Sequence, residues 1–101
     1  MTGKISKLDI AVYLQSDEDI AGYLGAAFET GELDDVTHAL ATIARAKGMT
    51  GTAKGAGLAR GSLYKAVGQG ANPTLSTLLQ VLAAFNVTLT AKPKLAVVQE
   101  Q

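Results

Sequence analysis

The sequence predicts an all-α fold, a bundle of about five helices with a possible short strand near the C-terminus. A chain of 101 residues can close one modest core and is too short for an additional catalytic domain. It is 48% hydrophobic but only 5% aromatic, so the core must consist mainly of Leu, Ala, Val and Ile. Apolar residues recur at helical spacing in three stretches, which favours helix faces as their location.

A first long helix is predicted from Ser16 to about Thr30. Ser16 can cap the free backbone amides, and the acidic residues 17–19 place negative charge at the positive end of the helix dipole. The apolar stripe consists of Ile20, Tyr23, Leu24, Ala27 and Phe28. Gly31 can provide a left-handed exit. Residues 8–14, before this helix, are expected to form one or two helical turns.

A second helix is predicted to open near Asp34 and Asp35. Its apolar stripe is Val36, Ala39, Leu40, Ile43 and Ala44. Arg45 and Lys47 in the last turn, followed by Gly48, are typical of a helix C-terminus.

The stretch from residue 49 to residue 70 is rich in glycine. It holds six of the eleven glycines, at positions 51, 55, 57, 61, 68 and 70. Because glycine costs about 1 kcal/mol relative to alanine inside a helix, any helices here must be short and held by packing.

A further helix is predicted after Asn72-Pro73, where Thr74 can cap an apolar run that ends at Phe85. Its predicted stripe is Leu75, Leu78, Leu79 and Leu82. Asn86 can stop the helix, and residues 87–90 alternate with a period of two, which predicts a short strand.

The two signs of charge are separated along a chain whose net charge is zero. Residues 1–35 hold two lysines against eight acids, a net charge of −6, and residues 36–99 hold seven cations and no acid. Acidic first turns of helices explain part of the N-terminal excess. They do not explain 64 residues without a carboxylate. The asymmetry indicates two partners, one basic and one polyanionic.

Several other classes of function find little support. The chain has no cysteine, which excludes disulfides and thiolate chemistry and fits a reducing compartment such as the cytoplasm. No apolar run approaches the roughly 20 residues of a membrane span, and Asp9 interrupts the apolar stretch that a signal peptide would need, so we expect a soluble, unprocessed protein. Ser62 and Lys65 have the spacing of penicillin-binding nucleophiles, but the companion motifs are missing. The single histidine, His38, lacks a second imidazole or thiolate for a metal. We therefore expect no enzyme activity, no cofactor and no metal.

Residues 50–73 fit the requirements of a helix-turn-helix. Ala53 is a small residue where a second helix can cross closely, and Gly57, four positions later, tolerates the positive φ of a turn. Leu58 supplies the apolar residue after the turn, and Leu63 with Ala66 or Val67 supplies the buried positions of the next helix. The remaining face is polar, cationic and free of acids: Arg60, Gly61, Ser62, Tyr64 and Lys65. We expect a reading helix over about residues 60–67.

This pattern, with Asn72-Pro73 and the following leucine-rich helix, resembles the Cro/Xre type of lambda-repressor-like domain. Further segments are similar to HigA-like addiction-module antidote proteins. They are Asp9-Ile-Ala-Val-Tyr-Leu14, Asp17-Glu-Asp19, Tyr23-Leu24, Ala44-Arg-Ala-Lys-Gly-Met49 and Ser62-Leu-Tyr-Lys65. The similarity covers about residues 8–91.

The resemblance implies a type II antitoxin that neutralises a RelE/ParE-like toxin and represses its operon as a homodimer on operator DNA. It implies base contacts from Arg60, Gly61 and Lys65 in the major groove. It implies contacts to the DNA backbone from Thr52, Lys54, Ser62, Tyr64 and Gln69. We divide the chain into an acidic helical segment at 1–34 that can face the toxin, a DNA-binding domain at 35–91 and a tail at 92–101.

The sequence departs from the family pattern both within the reading helix and before it. Ala59 stands where the family has a capping Ser, and Gly51, Gly55 and Gly61 replace residues that favour helix or contact DNA. These departures predict a softer reader of DNA. Two alternatives stay open: a toxin-binding module that no longer reads DNA, and a stand-alone phage-type repressor. The dimer surface is not defined by the sequence, although the strand at Leu89 and the adjacent helix are candidates.

Overall fold

The computed structural model describes residues 12–94. Within that range the fold is all-α, as the sequence predicts, with five helices: α1 (Asp17–Glu29), α2 (Leu33–Lys47), α3 (Met49–Ala56), α4 (Arg60–Ala66) and α5 (Leu75–Ala84). Val12 and Tyr13 are helical, in agreement with the turn predicted at 8–14, and the earlier residues of that turn lie outside the described range.

α1 begins with the cap that the sequence predicts. The Ser16 hydroxyl accepts a hydrogen bond from the Asp19 amide at 3.0 Å, and the Ser16 amide donates to the Asp19 carboxylate at 3.4 Å. This reciprocal pair is a capping box, which satisfies two amides that the first turn would leave free. Gly31 follows the helix with φ 73°, as its predicted role as an exit requires.

α2 is the central helix of the bundle. All five residues of its predicted stripe are buried, and Thr37 and Ala41 are buried beside them. Ile20 and Leu24 of α1, Leu63 of α4 and Phe85 after α5 belong to the same core cluster. Tyr23 and Phe28 are partly buried against it, so the stripe predicted for α1 is confirmed.

The stripe predicted for α5 is wrong at two positions. Leu75 is 62% exposed and Leu79 is 44% exposed, whereas Val81, Leu82 and Phe85 are almost fully buried. Leu78, Val81, Leu82 and Phe85 also repeat at i, i+3, i+4 and i+7, so the pattern contains two overlapping stripes. The packing of α5 on α3 and α4 buries the second one, because it faces the rest of the bundle.

The short strand predicted at residues 87–90 is absent from the part of the chain that the structure describes. A strand requires a hydrogen-bonded neighbour, and residues 12–94 contain no second extended segment paired with it. The Val87 amide instead donates to the Leu82 carbonyl at 3.0 Å, and Val87 and Leu89 pack against the core.

Candidate nucleic-acid interface

A tight turn joins α3 to α4, in the arrangement that the sequence predicts. Gly57 has φ 71° and ψ 31°, a left-handed conformation that favours glycine. Its amide donates to the Lys54 carbonyl at 3.1 Å, and the Leu58 amide donates to the Ala53 carbonyl at 2.9 Å. These two bonds form a Schellman motif, which ends α3 and starts the chain in a new direction.

The buried positions predicted for the two short helices are confirmed. Ala53 on α3 is buried, as are Leu63, Ala66 and Val67 on α4 and just after it. Leu58 is partly buried against the same core. The turn therefore holds α4 at a fixed angle on the bundle, with its opposite face toward solvent.

Two contacts from α5 fix the position of α3. A Cβ atom built on Gly55 would lie 3.3 Å from the Cβ of Ala84, so glycine allows α3 and α5 to approach closely. The Gln80 side-chain amide donates to the Ala56 carbonyl at 3.0 Å, which satisfies an acceptor at the end of α3. Neither contact could be predicted from the sequence, because each joins residues more than twenty positions apart.

The other end of α4 is anchored on the central helix. The Gly68 amide donates to the Thr37 carbonyl of α2 at 2.9 Å, and Gly68 has φ 100°. Thr37 itself is fully buried. The two anchored ends explain how a helix of seven residues keeps its place despite its length.

All residues predicted to contact bases are exposed on α4. Gly61 and Lys65 lie about 40° apart on a helical wheel, at the centre of the solvent face opposite Leu63. Arg60 is exposed at the first position of the helix, about 140° from Lys65 around the same wheel. Arg60 therefore lies at the start of the helix, at the edge of the solvent face, whereas Lys65 lies in the middle of that face.

Arg60 is held against its own helix in the free protein. Its guanidinium donates to the Tyr64 hydroxyl at 3.2 Å and lies 5.3 Å from the centroid of the Tyr64 ring. The pair is exposed, so it contributes little stability, but it narrows the positions that the guanidinium samples. The guanidinium of the free protein therefore lies beside Tyr64, about one turn along the helix from residue 60.

The residues predicted to contact the DNA backbone divide into two groups. Lys54, Ser62, Tyr64 and Gln69 are exposed around the base-contact residues. Thr52 is only 5% exposed, because its position on α3 turns into the core beside Ala53, and we withdraw it from the predicted contacts. The candidate interface keeps seven of the eight predicted residues.

The charged side chains of α3 and α4 are all positive. The chain from residue 36 to residue 94 contains no acid, so the cations of α3 and α4 have no local carboxylate. The one ion pair found among residues 12–94 joins Lys92 to Glu29, away from both short helices. Lys54, Arg60 and Lys65 therefore present positive charge that no carboxylate of the described residues neutralises.

The structure gives no support to a catalytic or metal site in the described range. Ser62 and Lys65 are both exposed on α4. No three His, Asp or Glu side chains of residues 12–94 come together in a cluster that could hold a metal ion. None of the helices described between residues 12 and 94 has the length and apolar character needed to cross a membrane.

Comparison with known proteins relates almost the whole chain to one family. The family model described as "Probable addiction module antidote protein" matches residues 4–93, a range that contains all five helices. A protein of Haemophilus influenzae, described as an uncharacterized protein, is 37% identical over 87 residues. That similarity covers 86% of this chain and 90% of the relative. No solved structure matches the chain.

Proposed function

This chain belongs to the addiction module antidote family, and from that premise we propose that it is the antidote of a type II toxin–antitoxin pair. In this proposal it represses its own operon as a homodimer on operator DNA. It also neutralises a RelE/ParE-like toxin, a small basic protein. The helix-turn-helix of Cro/Xre type formed by α3 and α4 carries the DNA-binding part of the proposal.

The observation that carries DNA binding is the acid-free, exposed face of the helix-turn-helix. Three cations, Lys54, Arg60 and Lys65, are exposed on two short helices joined by a left-handed turn, without a carboxylate partner in residues 12–94. DNA phosphates are the polyanion that such a surface binds, because cations release the counterions condensed on the duplex. An ordinary solvated helix face mixes both signs of charge.

The geometry supports a division of labour in the complex. A second helix of this kind lies in the major groove and reaches base edges with its first residues, which here include Arg60 and Gly61. Arg60 can bind guanine through two hydrogen bonds, and Lys65 extends from the centre of the face. Gly61 has no side chain, so its part is to let the backbone approach the bases. Lys54, Ser62, Tyr64 and Gln69 would hold the phosphates.

The acidic part of the chain supports the toxin-binding part of the proposal. Asp17, Glu18 and Asp19 are exposed on the first turn of α1, and Asp34 and Asp35 are exposed on the first turn of α2. Charges of one sign on a surface attract a partner of the opposite sign and accelerate its association. A basic toxin fits this surface, whereas DNA is repelled by it.

A gel-shift titration with the DNA upstream of the gene tests operator binding. We expect a shift at moderate salt that a scrambled duplex of the same composition does not give. Lys65→Gln should weaken the shift, and Lys7→Gln serves as the matched control, because it removes the same charge from the acidic segment. Absence of a specific shift, even with toxin present, would refute operator binding.

A second candidate function is a toxin-binding module that does not read DNA. It is favoured by one observation: α4 has only seven residues, no side-chain cap and a glycine at the centre of its solvent face. Co-expression with the neighbouring open reading frame distinguishes the two functions. Rescue of growth together with repression supports the main proposal, and rescue without repression supports the module. A stand-alone repressor would have no small basic toxin gene beside it.

A further inference from the structure

Residues 86–92 lie along α1 and are attached to both of its ends. The Asn86 side-chain amide donates to the Asp17 carboxylate at 3.5 Å, and Lys92 forms an ion pair with Glu29. Asp17 and Glu29 are the first and last residues of α1. Thirteen helical residues span about 18 Å, a distance that six extended residues just cover at about 3.3 Å each. The segment therefore runs along the length of α1.

The same segment has the side-chain pattern of a strand but lacks a neighbour. Val87 and Leu89 are half-buried, and Thr88 and Thr90 are exposed. Within the described part of the chain, the backbone groups of residues 88–92 make no hydrogen bond. A groove of about 320 Å³ lies between the segment and α1, lined by apolar side chains such as Phe28 and by polar ones such as Glu29, so the helix covers the segment only in part. An extended edge with free amides and carbonyls is a template for pairing with another chain.

We propose that residues 88–92 pair in antiparallel orientation with residues 88–92 of a second copy of this chain, about a two-fold axis at Thr90. The pairing gives a two-stranded ladder across a two-fold axis, in which the side chains of Val87 and Leu89 of both copies share the inner face. Pro93, which has no amide hydrogen, ends the ladder. This interface specifies the homodimer of the proposed function and rests on that dimer, but it does not require that the dimer bind DNA.

Charge complementarity favours a second copy, and it favours the antiparallel orientation. The residue-86 end of the segment lies beside the three acids of the first turn of α1, Asp17 to Asp19. The other end carries two lysines, Lys92 and Lys94, against one acid, Glu29, which is paired with Lys92. Antiparallel pairing brings the lysines of each copy to the acids of the other, at both ends of the ladder. Parallel pairing would put like charges together. A strand of the toxin is the alternative occupant that the experiment can reveal.

Disulfide crosslinking tests the interface directly, because the chain has no cysteine of its own. Thr90→Cys places a thiol at the proposed two-fold axis, where opposite Cβ atoms approach to about 4.5–5.5 Å. Thr88→Cys is a control in the same segment, two residues from the axis, and Ser76→Cys is the matched control on α5, beside the exposed Leu75 and Leu79. Under mild oxidation of the purified protein alone, the Thr90 variant should form a covalent dimer, and the Thr88 and Ser76 variants should not. Crosslinking through residue 76 alone would overturn the proposal and move the dimer to α5.

A proline substitution tests the backbone pairing itself. Thr88→Pro removes an amide that bonds to nothing in the described part of the chain, so we expect the fold to survive, as circular dichroism can verify. Thr88→Ala is the matched control. The dimer dissociation constant, from sedimentation equilibrium, should rise at least tenfold with proline and stay within twofold with alanine.

The two proposals fail in different ways. A monomeric wild type, or a dimer unaffected by Thr88→Pro, would overturn the interface, whatever the gel shift with operator DNA gives. If residue 88 or 90 crosslinks to the toxin and not to a second copy, the segment pairs with the toxin and the interface is again overturned. A crosslinked dimer that shifts no DNA would retain the interface and refute operator binding.

Discussion

Arg60 and Lys54 carry the same charge but lie on different helices of the candidate interface. Arg60 begins α4, next to the expected base edges, and Lys54 lies in the last turn of α3. We expect Arg60→Ala to relax base preference at one operator position by about 1–3 kcal/mol. Lys54→Ala should weaken binding to all sequences alike and lower the salt slope by about 1. Titrations against the operator and its single-base variants measure both, and equal effects on every sequence from the two changes would contradict these roles.

Ala59 precedes α4 in a capping position that its side chain cannot use. Its backbone is extended, with φ −64° and ψ 150°, and no side chain bonds to the first amides of the helix. Ala59→Ser should supply that bond and raise the free energy of unfolding by about 1 kcal/mol. Urea denaturation measures the change. Ala83→Ser, at an exposed position within α5, is the control, because a hydroxyl there caps no helix. A loss of stability with Ala59→Ser would show that the hydroxyl does not reach the amides.

Two glycines of α3 should respond in opposite directions to alanine. A Cβ on Gly51 meets no atom within 4 Å, whereas a Cβ on Gly55 meets Ala84 at 3.3 Å. Gly51→Ala should therefore raise the free energy of unfolding by about 0.5–1 kcal/mol, because alanine is the better helix former. Gly55→Ala should lower it, because two helix backbones must separate.

A double-mutant cycle separates the close contact at Gly55 from other effects of the substitution. Ala84→Gly removes the side chain that a Cβ on residue 55 would meet. The combination with Gly55→Ala should therefore recover part of the lost stability, as a favourable coupling energy. Additive effects of the two changes, measured by urea denaturation, would mean that the helices do not touch at this point.

Among the helices, the sequence predicted best where a local signal and the packing agree. The Ser16 cap, the stripe of α2 and the left-handed Gly57 each follow from a few neighbouring residues, and all are confirmed. The strand predicted at 87–90 was wrong within the described chain, because alternation shows that a segment can pair but not that a neighbour exists.

Within the candidate interface, the sequence predicts the exposed cations but not the tertiary contacts that hold their helices in place. Lys54, Arg60 and Lys65 follow from the spacing around Gly57, because a helix has a fixed angular period. The bond from Gln80 to the Ala56 carbonyl and the approach of Gly55 to Ala84 depend on how α5 crosses α3. The burial of Thr52 has the same origin, since periodicity fixes only a face and the crossing fixes how much of it is covered.

The two overlapping apolar stripes of α5 provide a test of which face of the helix is buried. Leu82 is almost fully buried and Leu75 is 62% exposed, although both belong to the stripe predicted from the sequence. Leu82→Ala should lower the free energy of unfolding by about 2–5 kcal/mol, because it leaves a cavity in the core. Leu75→Ala should change it by less than about 0.5 kcal/mol. Comparable losses from both variants would restore the stripe that the sequence predicts.

At the scale of the whole molecule, the division of charge predicts that toxin binding and DNA binding can be weakened separately. Five acids lie on the first turns of α1 and α2, and Lys54, Arg60 and Lys65 on α3 and α4 have no carboxylate partner within residues 12–94, so each of these two sets can meet a partner of the opposite charge. Glu18→Gln combined with Asp35→Asn should slow association with the toxin severalfold at low salt and leave operator affinity unchanged or slightly higher. Lys54→Gln combined with Lys65→Gln should do the reverse.

Stopped-flow association with the toxin and gel-shift titration of the operator measure the two effects on the same four-residue set. Rim charges act mainly on the association rate, so the effect on the toxin should fade as salt screens it, over a distance of about 8–10 Å at physiological ionic strength. The loss of operator affinity in the lysine variant should also shrink as the salt concentration rises. The variant makes fewer phosphate contacts and releases fewer counterions, so its affinity falls less steeply with salt than that of the wild type. If the lysine pair slowed toxin association as much as the acidic pair, the two partners would share one surface, and the toxin would compete with the operator for α4.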